Sequence, residues 1–92
     1  MTSFIETLSR VIEDRKRNPR PDSYTCQLLQ NPVKAAQKVG EEGTEVVIAA
    51  LVQEDERLLD EMADLVYHAL VLLSTRGLTW EQVVARLEER HR

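Results

Sequence analysis

Two pairs of acids carry the strongest chemical signal in this 92-residue chain, Glu42-x-x-Glu45 and Glu61-x-x-Asp64. At about 100° per helical residue, the members of each pair share one side of a helix, and Glu41 joins the first pair in a sector close to Lys38. Both pairs adjoin runs that are apolar around the whole helix circumference, Val46 to Val52 and Leu65 to Leu73. Carboxylates gathered between packed helices repel one another and lose hydration, so they persist with a cation, with shared protons or with water. Oxygen-only donors suit a hard cation, Mg²⁺ or Mn²⁺, better than zinc or copper. The competing reading is a solvated acidic stripe, which would suffice for one such pair. Two pairs on otherwise greasy helices favour a metal site, as in other helical bundles.

The basic residues suggest what such a metal would help to hold. Arg15, Lys16, Arg17 and Arg20 cluster where the first helix should break, and Lys34 and Lys38 follow near the start of the next long one. Cations beside a divalent-metal site fit a polyphosphate, chelated by the metal and clamped by Arg and Lys. Helix-dipole compensation accounts for Arg15 to Arg17 equally well, but Lys34 and Lys38 sit at the unfavourable helix end. Ser23, Tyr24 and Thr25 form a hydroxyl group suited to ligand contact, or else to capping and core packing. His68 lies one turn after Asp64, placed to contact ligand or support the metal site, or to be a satisfied core histidine.

Four main helices are expected to position these groups, with no strand. Ser3 and Glu6 form a capping box that opens the first, which Asn18-Pro19 ends. From Asp22 or Ser23 to Leu29 the chain forms a helical turn or an ordered loop. Asn31 caps and Pro32 begins a long helix to about Val52. The next runs from about Glu56 to Ser74 and stops near Gly77. Thr79 and Gln82 form a second capping box, with Leu78 and Val83 as a hydrophobic staple, opening an amphipathic helix through Val84 and Leu87. A tight turn near Asp55 would make the long helices an antiparallel hairpin. At ~1.5 Å per residue Glu45 and Asp64 then lie at similar heights. Two short amphipathic helices cannot cover both apolar segments, so a homodimer centred on the two long helices is expected.

Composition narrows the remaining classes. The chain is expected to be a single domain over 1–92, with 42% hydrophobic and 30% charged residues in the range of folded soluble proteins. A net charge of −4 argues against binding a nucleic acid polymer through a basic surface. No apolar run is long enough to span a membrane, and the N-terminus lacks signal-peptide character, so a cytoplasmic location is expected. Cys26 is the only cysteine, which excludes an internal disulfide and fits a reducing compartment; it is read as inert. Trp80 is assigned to core or dimer packing.

From Lys38-Val39-Gly40-Glu41-Glu42-Gly43-Thr44-Glu45 to Ala50, and from Glu61-Met62-Ala63-Asp64-Leu65-Val66-Tyr67-His68 to Leu73, the chain resembles the phosphoribosyl-ATP pyrophosphohydrolases. The paired acids are shared with the wider all-α, MazG-like nucleoside triphosphate pyrophosphohydrolases. Ser23-Tyr24-Thr25, Val39 to Glu42 and Asp64 to His68 are more specific, and the likeness extends from about Phe4 to Leu87. It implies an all-α homodimer that hydrolyses 1-(5-phosphoribosyl)-ATP to 1-(5-phosphoribosyl)-AMP and pyrophosphate, in the second step of histidine biosynthesis. It implies Mg²⁺ held by Glu42, Glu45, Glu61 and Asp64, and a stand-alone enzyme without the cyclohydrolase fused to it in some organisms. Glu41, Glu42 and Glu45 are the candidates to orient the attacking water. Arg15, Lys16, Arg17, Ser23, Tyr24, Thr25, Lys34, Lys38 and His68 are the candidate substrate contacts. Gly43 departs from the Ala common in the family, at a cost of about 0.5–1 kcal/mol within a helix and without touching a ligand. A house-cleaning pyrophosphohydrolase and a non-catalytic dimerisation module are the alternatives.

Overall fold

The computed structural model describes residues 3–92, which form five helices: α1 Phe4–Arg17, α2 Tyr24–Leu29, α3 Pro32–Val52, α4 Asp55–Thr75 and α5 Trp80–Arg90. No strand occurs among the described residues. Four helices are substantial, and the segment left open between helical turn and loop is the six-residue α2.

Each boundary has a local cause. The Ser3 hydroxyl accepts the Glu6 N–H at 3.3 Å, one half of the expected capping box. Ser23 accepts the Cys26 N–H at 3.2 Å, which fixes the start of α2. Asn31 accepts the Lys34 N–H at 3.2 Å, and Pro32 occupies the first turn of α3, where a missing donor costs nothing. At α5 both arms of the capping box are made: Thr79 Oγ1 accepts the Gln82 N–H at 3.3 Å, and Gln82 Oε1 accepts the Thr79 N–H at 2.8 Å.

α4 ends in a Schellman motif. The Leu78 N–H donates to the Leu73 carbonyl at 2.9 Å and the Gly77 N–H to that of Ser74 at 3.1 Å. Gly77 has φ +69°, a conformation that costs a side-chain-bearing residue about 1–2 kcal/mol.

The linker at 53–54 turns α3 back along α4, and this antiparallel hairpin is the most extensive helix pairing in the fold. Ile12, Leu28, Ala35, Leu70 and Val71 form the buried core, where α1, α2, the start of α3 and the second half of α4 meet. Trp80 packs against this core from the first turn of α5, as do Ile5, Leu8, Val66 and Tyr67.

The apolar runs are only partly covered within one chain. His68, Leu70 and Val71 are buried in the second run, but Val47, Ile48, Leu51 and Val52 in the first are exposed, Leu51 to 77%. Leu59 and Met62 of α4 are exposed as well, so the far end of the hairpin presents an apolar strip to solvent.

Candidate metal centre

Pairing α3 with α4 brings the two acidic motifs face to face. Glu42, Glu45, Glu61 and Asp64 line one cleft of about 480 Å³ together with Ile48, Gln53 and Arg57. Glu42, Glu45 and Glu61 each bring a carboxylate oxygen within 4.8 Å of the others. Asp64, the fourth acid expected there, lines the same cleft with its carboxylate outside that close group.

The carboxylates of this group differ in surroundings. Glu42 and Glu61 are each only 6% exposed, whereas Glu45 opens to solvent. Lys38 Nζ lies 3.4 Å from Glu42 Oε1, and Arg57 Nη2 donates to Glu61 Oε1 at 2.8 Å. That leaves Glu42 Oε2 and Glu61 Oε2 buried without a hydrogen-bond partner. Both of these atoms lie in the same small group of carboxylates. Unit charges 4.8 Å apart repel by about 3 kcal/mol per pair at an effective dielectric near 20. Bare, buried oxygen lone pairs converging from two helices fit a hard divalent cation.

Lys38 also pairs with Glu41, at 3.2 Å. Hydrogen bonding to Glu41, and secondarily to Glu42, raises its pKa against the opposing effect of burial. Glu41 is exposed and is not part of the cleft lining, in contrast to Glu42 and Glu45.

Beside Asp64 a polar chain ties α2 to α4. A backbone carbonyl can only accept, so His68 Nδ1–H donates to the Asp64 carbonyl at 2.7 Å and its Nε2 is left as an acceptor. The Tyr24 hydroxyl donates to that nitrogen at 2.9 Å. Thr25 Oγ1 bonds the Tyr67 hydroxyl, and the Tyr24 and Tyr67 rings stack with centroids 6.5 Å apart. His68 is therefore a satisfied buried histidine and also a link from the site to α2. The body of Tyr24 is half-exposed but its hydroxyl turns inward, so burial leads in raising its pKa; nearby Lys38 opposes this, and Tyr67, Glu42 and Glu41 reinforce it.

The basic segment is less convergent. Arg15 pairs with Asp14 at 3.2 Å, and Lys16 Nζ donates to the Ser74 carbonyl at 2.7 Å, near the C-terminal end of α4. Arg17, Arg20 and Lys34 are exposed and make no salt bridge among the described residues. Of the basic residues singled out from sequence, Lys38 alone is bonded to an acid of the cleft. Ser23 caps α2. Cys26 is buried, accepting the Arg20 N–H at 3.2 Å, in keeping with an inert thiol.

Sequence reasoning missed Arg57, Gln53 and Tyr67. Arg57 had a readable signal, since it precedes Glu61 by the same four residues that separate Lys38 from Glu42. Gln53 falls in the turn after α3, and Tyr67 sits within an apolar run where helical spacing alone gives it no separate role.

The sequence profile of the phosphoribosyl-ATP pyrophosphohydrolase family matches residues 5–91. A phosphoribosyl-ATP pyrophosphatase of Pyrobaculum calidifontis is 46% identical over 87 residues, covering 94% of this chain and 93% of the relative. The histidine biosynthesis bifunctional protein HisIE of Xylella fastidiosa is 49% identical over 90 residues, covering 97% of this chain and 44% of the relative. That of Pasteurella multocida is 46% identical over 89 residues, covering 96% and 44%. The chain thus spans under half the length of these bifunctional relatives and nearly all of the Pyrobaculum protein. By both the profile and the full-length relative, it belongs to the phosphoribosyl-ATP pyrophosphohydrolase family.

Proposed function

We propose that this chain hydrolyses 1-(5-phosphoribosyl)-ATP to 1-(5-phosphoribosyl)-AMP and pyrophosphate, as a Mg²⁺-dependent enzyme of histidine biosynthesis. The observation that carries the reading is the pair of buried, unpartnered oxygens, Glu42 Oε2 of α3 and Glu61 Oε2 of α4, grouped with Glu45 in one cleft of a chain of this family. The names of the relatives support the substrate and the pathway.

Glu42, Glu45 and Glu61 hold the cation, and Asp64 at the cleft wall completes the set. Mn²⁺ fits the same oxygens. When bound, the ion neutralises charge that develops on the departing pyrophosphate and orients the phosphates. The remaining chemistry belongs to side chains. Glu45 is the exposed carboxylate of the close group and makes no salt bridge among the described residues, so it is the best placed to take the proton of the attacking water. The water oxygen bonds to phosphorus, the phosphoanhydride bond breaks, and the electron pair leaves with pyrophosphate. Lys38 offers a cation to the phosphates from its place beside Glu41 and Glu42, with the other basic residues of 15–34 as outer contacts. Tyr24, Thr25 and His68 fix α2 beside the site and are the candidate contacts to the rest of the substrate.

The exposed strip at Val47, Ile48, Leu51, Val52, Leu59 and Met62 is covered by a second copy, giving a homodimer built on the α3–α4 hairpin. Among the described residues no helix is long and apolar enough to cross a membrane, and the reading places the enzyme in the cytoplasm.

The test is a substrate panel. Purified protein with Mg²⁺ is assayed for pyrophosphate release from phosphoribosyl-ATP and from ordinary nucleoside triphosphates. Release confined to phosphoribosyl-ATP supports the proposal. Preference for ordinary triphosphates moves the chain to a house-cleaning role, and no release from any substrate supports a non-catalytic dimerisation module.

A further inference from the structure

We infer that Arg57 is a substrate-binding residue for the pyrophosphate end of the substrate, and that the cleft therefore accepts the nucleotide in one orientation. The inference rests on the hydrolase reading above and adds a polarity to it.

Each of the two buried carboxylates has a cation four residues before it, Lys38 for Glu42 and Arg57 for Glu61. Because α3 and α4 run antiparallel, the same offset points in opposite directions. Lys38 lies ~6 Å along the axis to one side of the carboxylate cluster and Arg57 ~6 Å to the other. The cluster is thus bracketed by a lysine end and an arginine end.

The two ends are not equivalent. Lys38 is shared between two acids, Glu41 at 3.2 Å and Glu42 at 3.4 Å, so that end has less positive charge to spare than the other. It also carries the uncharged recognition groups of α2, with Tyr24 bonded to His68 and Thr25 to Tyr67. Rings and hydroxyls of this kind suit a ribose and a base.

At the other end Arg57 makes one salt bridge, to Glu61 Oε1 at 2.8 Å, while its side chain is 57% exposed. A guanidinium has five N–H donors, so most of its donors remain available to a phosphate. Arg57 is the one cation among the described residues lining the cleft, and Gln53 lines the same wall with an amide donor. Glu61 engages Arg57 through Oε1 and leaves Oε2 bare, so guanidinium and metal do not compete for one atom. The pyrophosphate leaving group therefore belongs at Arg57 and the AMP part of the product at Lys38 and Tyr24.

Equilibrium binding of the two products tests this without turnover. Titration calorimetry in saturating Mg²⁺ measures inorganic pyrophosphate and AMP on wild type, Arg57→Ala and Arg57→Lys. Circular dichroism checks the fold, and Arg57→Lys decides if the Ala variant does not fold. Loss of charge-assisted hydrogen bonds predicts pyrophosphate binding weakened about tenfold or more in Arg57→Ala, partly recovered in Arg57→Lys, with AMP affinity within about twofold of wild type. Unchanged pyrophosphate affinity, a larger loss for AMP, equal losses for both, or no pyrophosphate binding by wild type would overturn the inference. Phosphoribosyl-ATP turnover of the same wild-type preparation separates the two levels: inactive protein refutes the hydrolase reading, whereas active protein with any of those binding results refutes the assignment of Arg57 alone.

Discussion

Replacing Glu61 by Gln should move stability in opposite directions with and without metal. In the wild type, Glu61 shares a 4.8 Å cluster with Glu42 and Glu45, at about 3 kcal/mol of repulsion per pair at an effective dielectric near 20. Lys38 and Arg57 offset most of this, and the variant gives up an Arg57 pair whose cation is largely exposed, worth about 0–1 kcal/mol. Without divalent ions the variant should therefore be as stable as wild type or more so, by about 1 kcal/mol. With Mg²⁺ at a hundredfold excess over its dissociation constant, the wild type gains about 2.7 kcal/mol, and the variant, lacking one anionic ligand, gains little. The assay is thermal unfolding with EDTA and then with a Mg²⁺ series, at one protein concentration because subunit association also shifts the midpoint. The two unfolding curves should exchange order as Mg²⁺ is added. Equal Mg²⁺ stabilisation of both proteins, or none of the wild type, would refute the placement of a cation among these carboxylates.

Three further outcomes are expected. Gly43→Ala should stabilise the protein by about 0.5–1 kcal/mol, since an added Cβ meets nothing within 4 Å; a lowered midpoint in thermal unfolding would contradict this. Leu51→Asp places a charge on a residue 77% exposed in the single chain, so it should convert the proposed dimer to a folded monomer in sedimentation, and a persisting dimer would rule this surface out. Lys38 and Tyr24 both have raised pKa values, so folding favours their protonated forms. Their contribution is fully present below the ordinary values of 10.5 and 10.0 and is lost as pH rises through the raised ones. Denaturant titrations should accordingly show this loss in wild type only in the alkaline range, and should show less of it in Lys38→Met. An equal alkaline loss in both proteins would contradict it.

Much of the fold was legible because its boundaries are set by local chemistry. Ser3, Asn31-Pro32, Gly77 and Thr79 with Gln82 act through hydrogen bonds or backbone angles that neighbours in sequence determine, and the helices start within a residue or so of the expected places, while α5 runs on past Leu87 to Arg90. The short α2 was ambiguous because six residues bury too little alone to declare a state; its N-cap at Ser23 and its packing of Leu28 into the core decide it. The carboxylate cleft was legible for a geometric reason, namely that a tight turn between two equally long helices fixes their register. Asp64 lines that cleft without joining the close carboxylate group, a detail of side-chain direction that helical spacing does not carry. The long-range bonds were not readable at all. Lys16 on the Ser74 carbonyl spans 58 positions and Tyr24 on His68 spans 44, and each depends on how α1 or α2 docks against α4.

The central claim is that the α3–α4 carboxylates drive phosphoribosyl-ATP hydrolysis. It is tested most directly by the rate of pyrophosphate release from that substrate with saturating Mg²⁺, comparing wild type with Glu45→Gln. Glu45 is solvent-exposed, so the variant should fold normally and lose at least about a hundredfold in rate, in line with removal of a general base. A folded Glu45→Gln variant that releases pyrophosphate at the wild-type rate would contradict the account.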